Sequence, residues 1–141
     1  MRPPWHNEGI IEWHGHVVDI APLFNKAAIV CLPSYYREGM PKSLLEAAAA
    51  GCAVVTTDST GCKDAIVAGV AGDLVAPRDD IALADCLLAL ILDKNRRSSY
   101  GIEGRKRAIE MFSVHSVVEK TLSIYQESLT HARCKQKTHS A

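Results

Sequence analysis

The chain reads as an α/β fold: a parallel sheet with helices on both faces, followed by C-terminal helices. Three observations predict this. Two uninterrupted apolar runs, residues 28–32 and 52–56, have the character of strands covered on both sides. A helical segment lies between them and others follow, so strand and helix alternate as far as residue 92. Proline stands at the start of the central helix and glycine just past its end, at Pro41 and Gly51.

Taken in order, Ile10-Ile11-Glu12-Trp13 is a short strand candidate, and His14-Gly15-His16 a turn. Val17, Ile20, Leu23 and Phe24 fall on one face of a helix predicted over residues 17–26. The strand 28–32 leads into a loop over 33–40, and a helix then runs from Pro41 towards Gly51. Strand 52–56, a loop over 57–61, a short helix over 62–68 and a strand at 73–75 follow. Asp79-Asp80 cap a helix through Leu92, and further helices cover about 94–111 and 114–130. Ser113 suits the cap of the last one. Loops 33–40 and 57–61 both leave the carboxyl ends of strands, where such sheets bind ligands.

A chain of 141 residues is enough for one domain with a core. Its net charge is zero and its pI near 7, with no basic stripe that would suit nucleic acid. His131, Arg133, Lys135, Lys137 and His139 make residues 131–141 a basic, solvated, flexible tail. The five cysteines are odd in number and contain no C-x-x-C. Cys31 and Cys52 read as small core residues, and reduced thiols fit a cytoplasmic protein. No secretory leader and no spanning run is legible, so membrane contact would be at most peripheral. His14 and His16 lack further ligands nearby, and no metal site is expected.

The segment Glu38-Gly39-Met40-Pro41-Lys42-Ser43-Leu44-Leu45-Glu46 holds most of the chemistry. It joins a flexible backbone to a helix N-terminus whose free N–H groups suit an anion. Carboxylates flank that site and can accept hydrogen bonds from hydroxyls. Phosphate plus hydroxyls describes a sugar nucleotide. The plainer alternatives are solvated acids at Glu38 and Glu46, a solvated ammonium at Lys42, and packing or rim roles for Tyr35 and Tyr36.

This pattern resembles the E-x7-E signature of retaining glycosyltransferases of family 4. The resemblance extends through Gly15-His16, Asp19, Leu32-Pro33-Ser34, Gly51, Val54-Val55, Gly61, Asp64, Val75-Ala76-Pro77, Phe112-Ser113 and Tyr125, covering about residues 9–129. It implies that residues 1–130 are part of the C-terminal, donor-binding, Rossmann-like domain of a GT-B enzyme. The fuller wording, Tyr-Tyr-Arg-Glu-Gly-Met-Pro-Lys-Ser-Leu-Leu-Glu-Ala, is similar to members that act on lipid-linked sugars.

The resemblance implies roles residue by residue. Catalytic Glu38 would face the donor hexose. Gly39, Met40 and Pro41 would pass the hexose and diphosphate, with Gly39 allowing close backbone approach. The amides of Lys42 and Ser43 would hold the leaving diphosphate, and Glu46 would take the ribose hydroxyls. Gly15, His16 and Val17 would lie at the base. The donor is expected to be a nucleotide diphosphate sugar, UDP-linked, used without cofactor or metal. The acceptor would be a glycan or lipid-linked, with a lipid-linked one met at the inner face of the membrane. An N-terminal domain, separately encoded, would complete the enzyme; alone, this stretch is expected to be inactive and to bind donor weakly. The other readings are a non-catalytic nucleotide-sugar-binding module and a functionless fragment.

Overall fold

The computed structural model describes residues 8–36 and 39–138. The elements are α1 (Ala21–Phe24), β1 (Ile29–Leu32), α2 (Lys42–Ala49), β2 (Ala53–Thr57), α3 (Cys62–Ala65), β3 (Gly72–Val75), α4 (Asp80–Leu92), α5 (Lys94–Phe112) and α6 (Val114–Thr138). The strands form one parallel sheet in the order β1-β2-β3, with Val30 beside Val54 and Val54 beside Gly72.

Both faces of the sheet are covered, as the apolar runs required. On one face Leu44 and Ala47 of α2, Phe24 of α1 and Cys62 and Ala65 of α3 pack on Val54. On the other, Leu90 of α4 and Tyr100 of α5 pack on Ala53 and Val55. Leu44, Val54, Val55 and Leu90 are fully buried. Each contributes about 1.5–3 kcal/mol through removal of its side chain from water.

Local chemistry sets the ends of the elements. Asp79 accepts a hydrogen bond from the Ala82 amide at 2.9 Å and Asp93 one from the Arg96 amide at 2.9 Å, opening α4 and α5. Ser113 Oγ accepts from the Ser116 amide at 3.2 Å at the head of α6. Gly51 ends α2 with φ +83°.

Several sequence expectations are corrected. No strand forms over 10–13 among the described residues, and Ile10 and Trp13 are exposed. The helix expected over 17–26 is a single turn, because Pro22 has no N–H to donate and is tolerated only in the first turn. Pro41 is the cap of α2 rather than its first residue, with φ −65° and ψ 123°. The final helix runs on to Thr138, through residues expected as a flexible tail. Cys31 is exposed, not core: β1 pairs only with β2 among the described residues and is less buried than β2.

A close contact of backbones joins α5 to the end of α2. A Cβ on Gly101 would stand 2.1 Å from the Gly51 carbonyl oxygen. Gly101→Ala should therefore force the two backbones apart and cost about 1–3 kcal/mol, read as a lower urea midpoint with an unchanged slope.

Candidate functional site

The loop after β1 delivers the chain to the head of α2 at the carboxyl edge of the sheet. Pro41 fixes the entry, and no side chain caps the helix. The Leu44 amide bonds back to the Pro41 carbonyl at 3.1 Å. The amides of Lys42 and Ser43 precede any intrahelical partner, so they face outward as donors at the positive end of the helix.

Glu46 lies one turn along. Its carboxylate is part-exposed and meets the Lys42 ammonium at 3.2 Å. An exposed i,i+4 pair of this kind adds only about 0.3–0.5 kcal/mol, so the carboxylate is readily shared with other donors. Glu46 and Lys42 line a cavity of 580 Å3 together with Val17, Val18, Asp19 and Arg105. Across Glu46 and Lys42 a further cavity of 420 Å3 is walled by Ala108, Phe112 and Val114. Glu46 thus stands on the ridge between them.

The other expected site residues distribute as follows. Val17 joins Glu46 and Lys42 in the larger cavity, whereas Gly15 and His16 are exposed and do not line it. Asp19 accepts from the Ala21 amide at 3.0 Å and so fixes the segment that carries Val17. Met40 packs against the core and Pro41 is buried, which leaves their backbone as the part a ligand can meet. Ser43 is half-buried. Gly39 has no positive φ, and a Cβ built there meets nothing within 4 Å. Neither packing nor a left-handed backbone requires glycine at that position, while close approach of a ligand would. Glu38 lies outside the described residues.

Loops 33–40 and 57–61 do meet. Thr57 Oγ1 donates to the Ser34 carbonyl, and Ser59 Oγ donates to the same oxygen at 3.4 Å. Pro33, Tyr35 and Thr57 line a separate 350 Å3 cavity with Arg78 and Leu83. Arg78 has φ +65°, alone in this among the described non-glycine residues, at a cost of about 1–2 kcal/mol.

Sequence reasoning missed two features. Arg105 reaches the Glu46 cavity from α5, a placement no local spacing signals. A polar cluster on the α5 side of the sheet was also missed. Arg96 Nη2 donates to both Asp73 carboxylate oxygens at 2.7 Å, Tyr100 Oη donates to Oδ1 at 2.9 Å, and Cys86 Sγ donates to Oδ2 at 3.5 Å. The signal was Asp73 itself, a lone acid within a buried strand, which demands partners.

Burial, and then the Asp73 charge, push the Cys86 thiol up to about 11 from 9.0. Burial raises Tyr100 as well. The folded state therefore holds these protons more tightly than the unfolded chain. The corresponding stability is complete below pH 9 and is lost as pH climbs towards 11. Urea midpoints across that interval should fall, and Cys86→Ala should make the fall shallower.

Comparison with known proteins sets this site in a family. The family description "Glycosyl transferases group 1" matches residues 3–93. The capsular polysaccharide biosynthesis glycosyltransferase CapM of Staphylococcus aureus is 33% identical over 120 residues, covering 85% of this chain and 31% of that protein. The N,N'-diacetylbacillosaminyl-diphospho-undecaprenol alpha-1,3-N-acetylgalactosaminyltransferase of Campylobacter jejuni is 29% identical over 119 residues, covering 84% of this chain and 31% of its own. Among solved structures, Anabaena HepE in complex with UDP superposes with a TM-score of 0.81 at 21% identity, over 87% of this chain and 35% of that one. A glycosyltransferase from Rickettsia africae gives a TM-score of 0.79 at 25% identity, over 89% of this chain and 34% of its own. The chain thus spans about a third of the length of these proteins.

Proposed function

Because the chain belongs to the group 1 glycosyl transferases, we propose that its α2 head and Glu46 bind the nucleoside diphosphate of a sugar donor, UDP-linked, for transfer to a glycan or lipid-linked acceptor. One observation carries this reading. A part-exposed carboxylate sits on the wall of a 580 Å3 cavity with Val17, one turn from uncapped amides at the start of a helix. Vicinal ribose hydroxyls suit the carboxylate, and a diphosphate suits the amides. Structures of HepE and TarM solved with UDP support the choice of nucleotide. The Campylobacter relative, whose name specifies a diphospho-undecaprenol acceptor, supports a lipid-linked one.

In this scheme the residues act by stabilising charge. As the glycosidic bond to the diphosphate breaks, negative charge grows on the leaving oxygens. The Lys42 and Ser43 amides and the α2 dipole are already aimed at that charge and need no reorganisation. No metal ion is invoked. Glu38, at the other end of the donor, would face the hexose. Glu46 belongs to the ribose, away from the reacting carbon, so a double displacement on paired carboxylates does not suit this arrangement.

The chain spans 31% of CapM, and transfer is assigned to it together with a domain that supplies further acceptor contacts. If the acceptor is lipid-linked, the work takes place at a membrane surface, although among the described residues no helix is long and apolar enough to cross one. Calorimetric titration with UDP tests the binding half of the reading. Glu38→Ala should leave UDP affinity within about twofold, and in a two-domain form should lower kcat by about a hundredfold or more. A loss of UDP affinity in Glu38→Ala would place that acid at the nucleotide and refute its assignment.

A further inference from the structure

On the far flank of the 33–36 loop a side-chain stack stands free of every residue given to the nucleotide. Arg78 lies over the Tyr35 ring, 4.6 Å from its centroid. Tyr35 and Tyr36 stack at 4.2 Å with 31° between their planes, and the Tyr35 hydroxyl donates to that of Tyr36 at 2.8 Å. The order is cation, ring, ring. The outermost ring, Tyr36, is 66% exposed.

Two anchors hold the stack. Ser34, next in the chain, takes the Thr57 and Ser59 hydroxyls on its carbonyl. Arg78 keeps its left-handed backbone immediately before Asp79, which caps α4. The 350 Å3 cavity beneath, at the carboxyl ends of all three strands, is lined by Tyr35, Thr57 and Arg78 and shares no residue with the Glu46 cavities. A rigid aromatic face turned to solvent at the ligand-binding edge of a sheet is matched by the flat C–H face of a pyranose ring.

We infer that Tyr36, backed by Tyr35 and Arg78, is a stacking platform for a sugar ring of the acceptor. Acceptor, rather than donor, rests on the nucleotide reading above: with the nucleotide in the Glu46 cavities, the separate Tyr35–Arg78 cavity is left for a saccharide held jointly with the acceptor-binding domain. Arg78 backs the stack from behind Tyr35 and polarises it.

The test uses the 141-residue chain and methyl β-D-glucopyranoside, whose equatorial hydroxyls leave both ring faces apolar. A single stacked ring implies a dissociation constant of roughly 10 mM, suited to saturation-transfer NMR. Transfer to the pyranoside ring protons is expected with the wild type. It should fall about fivefold or more in Tyr36→Ala, fall less in Arg78→Gly and persist in Tyr36→Phe. Glycine accepts the backbone at position 78, so Arg78→Gly keeps the fold and isolates the side chain. UDP titrated in parallel should bind Tyr36→Ala as tightly as wild type. Absent transfer in the wild type, or undiminished transfer in Tyr36→Ala, overturns the inference. So does weaker UDP binding in Tyr36→Ala, because the ring would then stack on the base. If UDP fails to bind the wild type while pyranoside transfer depends on Tyr36, the nucleotide reading falls and the saccharide platform stands.

Discussion

Glu46→Ala should weaken UDP binding about ten- to a hundredfold, the loss expected when a charge-assisted hydrogen-bonded pair of about 1.5–3 kcal/mol is removed. The effect is large because the carboxylate is only weakly engaged within the protein: its ion pair with Lys42, at 3.2 Å, is on the surface. Thermal stability should accordingly stay within about 1 kcal/mol of wild type. Lys42→Ala is the matched control: it removes the same ion pair but leaves the amide in place, and UDP affinity should change less than about threefold. Glu46→Gln should fall between, since an amide oxygen still accepts hydrogen bonds but without charge. Calorimetry on the four proteins decides the matter, and equal affinity for wild type and Glu46→Ala would refute the ribose assignment.

The largest stability effect is expected at a site remote from ligand. Asp73 has a side chain only 14% exposed and gathers Arg96, Tyr100 and Cys86. Truncating it strands a guanidinium and a buried phenol at once. Breaking a buried pair costs about 3–5 kcal/mol, and the part-exposed Arg96 regains some of this from water, so Asp73→Ala should cost about 2–3 kcal/mol. For a chain of this size that lowers Tm by about 5–12 °C, measurable by circular dichroism. UDP affinity of the folded fraction should be unchanged. Asp73→Asn keeps an acceptor for Tyr100 and should lose less. A Tm within about 1 °C of wild type in Asp73→Ala would show the cluster to be energetically neutral.

These two residues illustrate what the chain declares locally and what it hides. Glu46 was legible because its surroundings are local: Pro41 sets the start, Gly51 the end, and the spacing puts both the acid and the free amides on one short helix. β2 was legible because the Cys52–Val55 run is apolar, as a strand buried on both faces requires, with Thr56 and Thr57 buried at its end on backbone carbonyls. Residues 10–20 were not: Ile10, Ile11 and Trp13 look like a strand, yet the sheet among the described residues consists of β1, β2 and β3 and does not include them. The Val17–Phe24 stripe had helical spacing, but Pro22 overruled it. The Asp73 partners lie 13, 23 and 27 residues away, and such separations leave no periodic trace.

The meeting of Gly51 with Gly101 reaches beyond stability. It clamps the rear of α2 to a nineteen-residue helix, so the end proposed to face the donor projects from a fixed mount. A phosphate bound as proposed would find its amides already in register, and little ordering entropy would be charged against association. On the proposed reading the rear clamp would govern the tightness of a contact about two helical turns ahead of it, and a loosened junction would reveal itself as a more unfavourable entropy of nucleotide capture at nearly constant enthalpy.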